Sequence, residues 1–91
     1  MASFKLSKPY TMPVADLREA ARGLADQLES EHGISQRWNG DAVRIKGKGV
    51  DGELDFSGGV IDISVKLGLM TSAFAPALKR GMQRYLDEHI Y

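Results

Sequence analysis

The chain has 91 residues, no cysteine, and twelve basic side chains that balance twelve acidic ones. This length predicts one domain over residues 1–91, and the lack of cysteine excludes disulfides, thiolate catalysis and cysteine-based zinc sites. The zero net charge argues against a nucleic-acid partner, and no apolar run approaches the ~20 residues of a membrane span. Because the first residues also lack the apolar core of a signal peptide, we expect a soluble cytoplasmic protein.

The N-terminal third predicts a strand and then a helix. Phe4 and Leu6 alternate with polar residues, and Pro9 ends this strand because it cannot donate to a ladder. A helix is predicted over 11–32, with Thr11 as its N-cap and Gly33 as its stop. Its apolar stripe consists of Val14, Leu17, Ala21, Leu24 and Leu28. The glycine inside this helix, Gly23, predicts close packing of the helix on a sheet.

The middle of the chain predicts three strands. Residues 34–40 are interpreted as a connection that ends in an Asn39-Gly40 turn. Apolar and polar residues then alternate with period two in three runs within 43–67, which indicates a sheet with one buried face and one solvent-exposed face.

Two glycine-rich turns set the pairing of these strands. A turn within 47–49 places Arg44 opposite Asp51 or Glu53. A two-residue type I′ turn at Gly58-Gly59 predicts three further pairs. These are Leu54 with Ile63, Phe56 with Ile61, and Asp55 with Asp62.

A last helix is predicted over 71–90, beginning at Ser72 or at Pro76. Its stripe consists of Phe74, Leu78, Met82, Tyr85 and His89, widened by Ala77, Leu86 and Ile90. The order β-α-β-β-β-α predicts an α+β fold of two layers, in which both helices cover one face of a four-stranded, mostly antiparallel sheet.

No catalytic, cofactor or metal site is predicted. The run 47–52 matches G-x-G-x-x-G, but a strand follows it where a nucleotide site needs a helix. Glu53, Asp55 and Asp62 are interpreted as a solvated sheet face rather than a calcium site. His32 and His89 lie near helix ends without an acidic residue at a diagnostic spacing. We therefore expect no enzyme.

Two groups of apolar residues are the candidate contact sites. Trp38 either caps the open end of the core or lines an apolar pocket between helix and sheet, with Phe56 as a second wall of that pocket. The residues that flank the last helix predict an exposed patch for a hydrophobic surface or a second subunit. They are Leu69, Met70, Ile90 and Tyr91.

Short signals in a fixed order carry a family resemblance. They are Trp38-x-Gly40-Asp41, Gly49-Val50-x-Gly52, Leu67-Gly68, Leu86-Asp87 and the alanine-rich run 20–25. The chain resembles the polyhydroxyalkanoic acid system protein family, which comprises small bacterial proteins encoded near genes for polyhydroxyalkanoate storage granules. The resemblance implies an association with that system and supplies no catalytic residue. Tyr10 stands about where the family tends to have a histidine.

Two hypotheses follow from the residues and the resemblance. The first is a non-catalytic accessory protein that contacts the polyhydroxyalkanoate granule or granule-associated proteins, with a homodimer as an option. The alternative is a small module that binds an acyl or other lipid ligand between helices and sheet, with Trp38 and Phe56 as walls.

Overall fold

The computed structural model describes residues 2–69 and 71–91. The strands are β1 (Ala2–Pro9), β2 (Ser35–Asn39), β3 (Ala42–Gly47), β4 (Val50–Asp55) and β5 (Val60–Leu67). The helices are α1 (Val14–His32), between β1 and β2, and α2 (Ala75–His89), after β5. A turn at Ser57–Gly59, in which Gly58 and Gly59 have positive φ of 76° and 82°, precedes β5, and a single 3₁₀ turn at Ser72–Phe74 precedes α2.

The strands form one five-stranded antiparallel sheet in the order β1-β5-β4-β3-β2. The α+β class and the antiparallel sheet are confirmed, but the predicted number of four strands is wrong. The additional strand is β2, which was interpreted as a connection. Its side chains towards the core are Gln36 and Trp38, opposite Ile45 and Val43, so this short strand lacks the apolar alternation that marked the others.

The structure selects one of the two predicted registers between β3 and β4 and confirms two of the three predicted pairs between β4 and β5, whereas the predicted pair of Phe56 with Ile61 is absent from the ladder. Arg44 lies opposite Glu53, and Leu54 and Asp55 lie opposite Ile63 and Asp62. The second turn differs from the prediction: the ladder ends at Asp55, and Phe56 leaves the strand to donate its N–H to the carbonyl of Asp41 at 3.0 Å. A four-residue connection over 56–59 therefore replaces the two-residue loop.

Both helices lie on the apolar face of the sheet. Helix α1 packs against β2, α2 packs against β1, and the two helices contact each other. The Tyr85 hydroxyl of α2 donates a hydrogen bond to the Ala20 carbonyl of α1 at 2.8 Å. A Cβ atom on Gly23 would collide with the same hydroxyl, so this glycine permits helix–helix contact rather than the helix–sheet contact that we predicted.

Both helices begin at residues that differ from the predicted ones. Helix α1 begins at Val14 after Pro13, three residues later than predicted, and no side chain caps it. Val14 is 50% exposed and thus lies outside the buried stripe. Gly33 adopts the left-handed conformation with φ of 66° and ends α1 as predicted. Helix α2 begins at Ala75, with Pro76 in its first turn.

The core lies between the helices and the sheet. Its side chains come from every strand except β2 and from both helices; they include Leu17, Ala21, Leu24, Leu28, Leu54, Ile63, Leu78, Met82 and Leu86. Within the described residues, no polar or charged residue is buried. Burial of each large apolar side chain contributes about 1.5–3 kcal/mol, so this layer supplies the stability of the fold.

Candidate interaction surfaces

Trp38 and Phe56 are brought together by the fold. Their rings meet edge to face, with centroids 6.2 Å apart and an interplanar angle of 65°. Phe56 is buried, whereas Trp38 is half-buried at the margin of the sheet. The Trp38 Nε1–H donates to Oε1 of Gln36 at 2.8 Å. This arrangement fits the capping role: Phe56 belongs to the core, and Trp38 covers it.

Two arginines of α1 lie over these rings. The guanidinium of Arg18 is 5.7 Å from the centroid of Phe56, and that of Arg22 is 5.8 Å from the ring of Trp38. Arg18 also donates to Oδ1 of Asp41 at 3.0 Å and to the Gly40 carbonyl at 3.3 Å. The sequence analysis missed this pair, although Arg18 and Arg22 are four residues apart and therefore share one helix face.

A solvent-open groove lies beside Trp38. It has a volume of about 310 Å³ and is lined by Arg18, Glu19, Arg22 and Trp38; we call it the Trp38 groove. Its walls offer one aromatic surface and the guanidinium of Arg22. The groove is a shallow surface feature at the edge of the sheet, not the internal lipid pocket of the alternative hypothesis.

The apolar patch predicted around α2 does not form one surface. Ile90 is only 1% exposed, because the chain leaves the helix in an extended conformation with φ of −111° and its side chain enters the core. Leu69 and Tyr91 are 79% and 72% exposed, but the 15 residues of α2 separate them by about 22 Å. Met70, the fourth member, lies outside the described residues.

Leu69 is held on an anchored connection between β5 and α2. The Thr71 hydroxyl donates to the Gly49 carbonyl at 2.7 Å, and the Gly68 N–H donates to the same carbonyl at 3.0 Å. Phe74, at the end of this connection, is 37% exposed and meets the ring of His32 edge to face at 5.0 Å. We call this region the Leu69–Phe74 connection. Leu69 and Phe74 are exposed there, and hydrogen bonds hold Gly68 and Thr71 to Gly49.

The space between the two helices is small. The cavity there has a volume of about 50 Å³, whereas pockets for small organic ligands usually measure about 300–1,000 Å³. Its walls include Leu24, Leu28, Leu78 and Met82. An acyl chain does not fit this cavity unless the helices separate.

The carboxylates of the outer sheet face are engaged locally. Asp55 accepts hydrogen bonds from the Ser57 N–H at 2.9 Å and the Ser57 hydroxyl at 2.8 Å, and these bonds lower the pKa of the Asp55 carboxyl. Oε2 of Glu53 is 4.0 Å from Nη1 of Arg44. Among the described residues, no group of three or more His, Asp or Glu side chains is placed to hold a metal ion.

Tyr10 and the two histidines make structural contacts. The Tyr10 hydroxyl donates to the Phe56 carbonyl at 2.6 Å, which fixes the β1–α1 connection to the β4–β5 connection. His32 packs on Phe74, and His89 stacks on Tyr85 with a ring separation of 4.2 Å. The two histidines therefore lie at opposite ends of the molecule, since each ends a different antiparallel helix.

These features define a small two-layer α+β protein in which Trp38, Leu69 and Phe74 lie at the margin of a closed core. A family model described as "Putative polyhydroxyalkanoic acid system protein" matches residues 5–90, so the chain belongs to this family and the resemblance is confirmed. No curated protein and no solved structure gives a significant match to the chain. In the described part of the chain, neither helix has the length and apolar character to cross a membrane.

Proposed function

We propose that this protein acts without catalysis as an accessory of the polyhydroxyalkanoate storage system, through surface contact with the granule or with proteins on it. Membership of the family supports the link to that system. The observation that supports surface contact is the exposure of Leu69 and Phe74 on the connection between β5 and α2, where Thr71 is hydrogen-bonded to Gly49. An exposed apolar side chain between two hydrogen-bonded residues, Gly68 and Thr71, can enter a hydrophobic surface with a smaller loss of backbone entropy than one on an unbonded segment.

Surface contact is favoured over ligand transport by the size of the interior. The cavity between the helices, at about 50 Å³, is too small for an acyl chain, and the inner sheet residues beneath it are buried. Mass spectrometry of the protein under native conditions tests this alternative. We expect the mass of the polypeptide alone, and a stoichiometric lipid adduct would favour the ligand-binding hypothesis.

Co-sedimentation with native granules at physiological salt tests the proposal. We expect the wild-type protein to pellet with the granules and Leu69→Asp to lose about 90% of that binding, since a carboxylate disfavours transfer into an apolar phase. The matched control is Val14→Asp, because Val14 is also an exposed aliphatic side chain but lies at the opposite end of the molecule. Absence of wild-type binding would refute the proposal.

Granules treated with protease distinguish the two kinds of surface. Retained binding would identify the polymer or its lipid coat as the contact, and lost binding would identify a granule-associated protein. Analytical ultracentrifugation of the free protein tests the homodimer separately. If the protein dimerises through Leu69, Leu69→Asp gives a monomer.

A further inference from the structure

The two edges of the sheet differ in how they are protected. Strand β1, at one edge, contains Lys5, Lys8 and Pro9, the residue types that usually discourage pairing with another strand. Lys8 is also held by Asp87 of α2 at 3.2 Å. Strand β2, at the other edge, contains neither lysine nor proline. Within residues 2–69 and 71–91, it pairs with β3 alone.

The turn after β2 determines which backbone groups face the open side. Gly40 and Asp41 form a two-residue turn, and Asn39 lies opposite Ala42. The pair that flanks such a turn is hydrogen-bonded, and bonded pairs alternate along an antiparallel ladder. The backbone N–H and C=O groups of Arg37 and Asn39 thus hydrogen-bond to β3, whereas those of Gln36 and Trp38 point away from the sheet.

The outer side of this edge carries unbalanced positive charge. Arg37 lies directly opposite Arg44, and Ser35 lies opposite Lys46. Like charges in opposite positions destabilise a sheet. On the next strand, Glu53 lies 4.0 Å from Arg44 and Asp51 lies opposite Lys46, which leaves the positive charge of Arg37 in excess. A groove of about 460 Å³ lies among these residues, lined by Ser35, Gln36, Arg37, Arg44 and Lys46.

The inner side of the same edge is partly apolar. There the Trp38 groove lies along β2, with Trp38 half-buried beneath Arg22. A side chain from a strand added beside β2 would enter this groove, because side chains of neighbouring strands on one face lie about 5 Å apart. The two sides of the edge thus suit different side chains: an acidic one outside and an apolar one inside.

We propose that β2 accepts an extended segment of a partner protein as a sixth strand of the sheet. The segment alternates acidic residues, which pair with Arg37 and its neighbours on the outer face, and apolar residues, which pack against Trp38 on the inner face. Main-chain hydrogen bonds to Gln36 and Trp38 supply affinity, and the alternating side chains supply specificity. This site is separate from the Leu69–Phe74 connection and does not depend on granule binding.

A second copy of the chain is a poor occupant. Antiparallel pairing of two β2 strands about their centres places Arg37 opposite its equivalent in the other copy. Since Arg44 adjoins Arg37 in each sheet, four guanidinium groups would then form one row. This repulsion opposes self-pairing and favours a partner with carboxylates at the same positions.

The test uses two short probe peptides and two charge-reversed proteins. One peptide alternates glutamate and valine, and the other alternates lysine and valine. We expect the glutamate peptide to shift the amide signals of residues 35–39 in NMR titrations and to bind at least about tenfold more tightly than the lysine peptide. Arg37→Glu should reverse this preference. Lys5→Glu, the same change in the same cross-strand row at the β1 edge, should leave it unchanged.

Backbone methylation of the probe separates strand addition from simple charge attraction. In a bound strand, every second amide faces β2 and the others face solvent. N-methylation of the glutamate-peptide amides that face β2 should abolish binding, whereas N-methylation of those that face solvent should be tolerated. Equal effects of the two sets, equal effects of Arg37→Glu and Lys5→Glu, or no shift at residues 35–39 would each overturn the proposal. Concentration-dependent dimerisation that Arg37→Glu abolishes would also overturn it, because a second copy would then occupy the edge.

Discussion

The two faces of the sheet contribute unequally to stability. On the inner face, strand side chains such as Ile45, Leu54 and Ile63 are buried against the helices. On the outer face, a row of Lys5, Ser64, Glu53, Arg44 and Arg37 crosses all five strands and is exposed to solvent. Removal of an inner contact therefore costs the fold several kcal/mol, whereas outer charges contribute little to stability and remain available for partners.

The largest expected effect contrasts two neighbouring residues at the end of α2. Ile90→Asp should lower the free energy of unfolding by at least about 3 kcal/mol, because it places a carboxylate among apolar side chains. Tyr91→Asp, at an exposed position, should change it by less than about 0.5 kcal/mol. Urea denaturation followed by circular dichroism measures both. Equal destabilisation by the two variants would contradict the burial of Ile90.

The second-largest expected change in stability concerns a glycine on the inner face of the sheet. A Cβ on Gly52 would lie 2.8 Å from the carbonyl oxygen of Ser64 and 3.0 Å from Ile45, so Gly52→Ala should cost about 1–3 kcal/mol through overpacking. The control is Gly81→Ala in α2, where, among the described residues, no atom outside the adjoining turns of the helix lies within 4 Å of the added methyl group. That change should stabilise the protein by about 0.5–1 kcal/mol. Thermal melts of both variants test the contrast in sign.

The contact between the helices should be sensitive to alkaline pH. Partial burial, and then the nearby charge of Asp26, raise the pKa of Tyr85 above its ordinary value of 10.0. The protonated phenol is therefore favoured in the folded state, and its stabilisation is present below pH 10 and is lost as the pH rises through the folded-state pKa. Tyr85→Phe should cost about 0.5–1.5 kcal/mol at pH 7 and should show a smaller loss of stability above pH 10. Urea titrations at pH 7, 9 and 11 measure this difference, and identical pH profiles would contradict it.

The smallest effect concerns the outer face. Asp62 lies directly opposite Asp55, and like charges in such positions are destabilising by roughly 0.2–1 kcal/mol. Asp62→Asn should therefore stabilise the protein by a few tenths of a kcal/mol, with the gain reduced in 1 M salt. Urea denaturation measures the free energy of unfolding of this variant. A loss of stability in Asp62→Asn would show that Asp62 makes a favourable contact.

Period-two alternation explains how far the sequence predicted the fold. It located β3, β4 and β5, because Val43, Leu54 and Ile63 face a core while their neighbours face water. It left two registers open between β3 and β4, since both place inward residues opposite inward residues. It failed at β2, where the inward residues are Gln36 and Trp38. Gln36 is accommodated there because α1 supplies acceptors, with Oδ1 of Asp26 at 2.6 Å from its Nε2. That contact depends on tertiary structure and leaves no pattern in the sequence.

The candidate sites were less predictable than the fold. Trp38 and Phe56 were named together as walls of a ligand pocket, and the structure brings their rings into contact. The arginines above them were not identified, because only the docking of α1 on the sheet brings Arg18 and Arg22 over the rings. Ile90 was assigned both to the apolar stripe of the last helix and to the exposed patch beside it, and its burial agrees with the stripe alone. The extended backbone at Ile90, which a sequence pattern does not reveal, turns it inward.

Hydrogen exchange of the β2 amides tests most directly whether the molecule combines a closed core with one open sheet edge. We expect the amide protons of Gln36 and Trp38 to exchange at least about tenfold faster than those of Arg37 and Asn39, because only the latter bond to β3. Uniform protection of all four amides would show that another segment or another chain already covers this edge. Uniformly fast exchange would show that β2 is not a strand of the sheet.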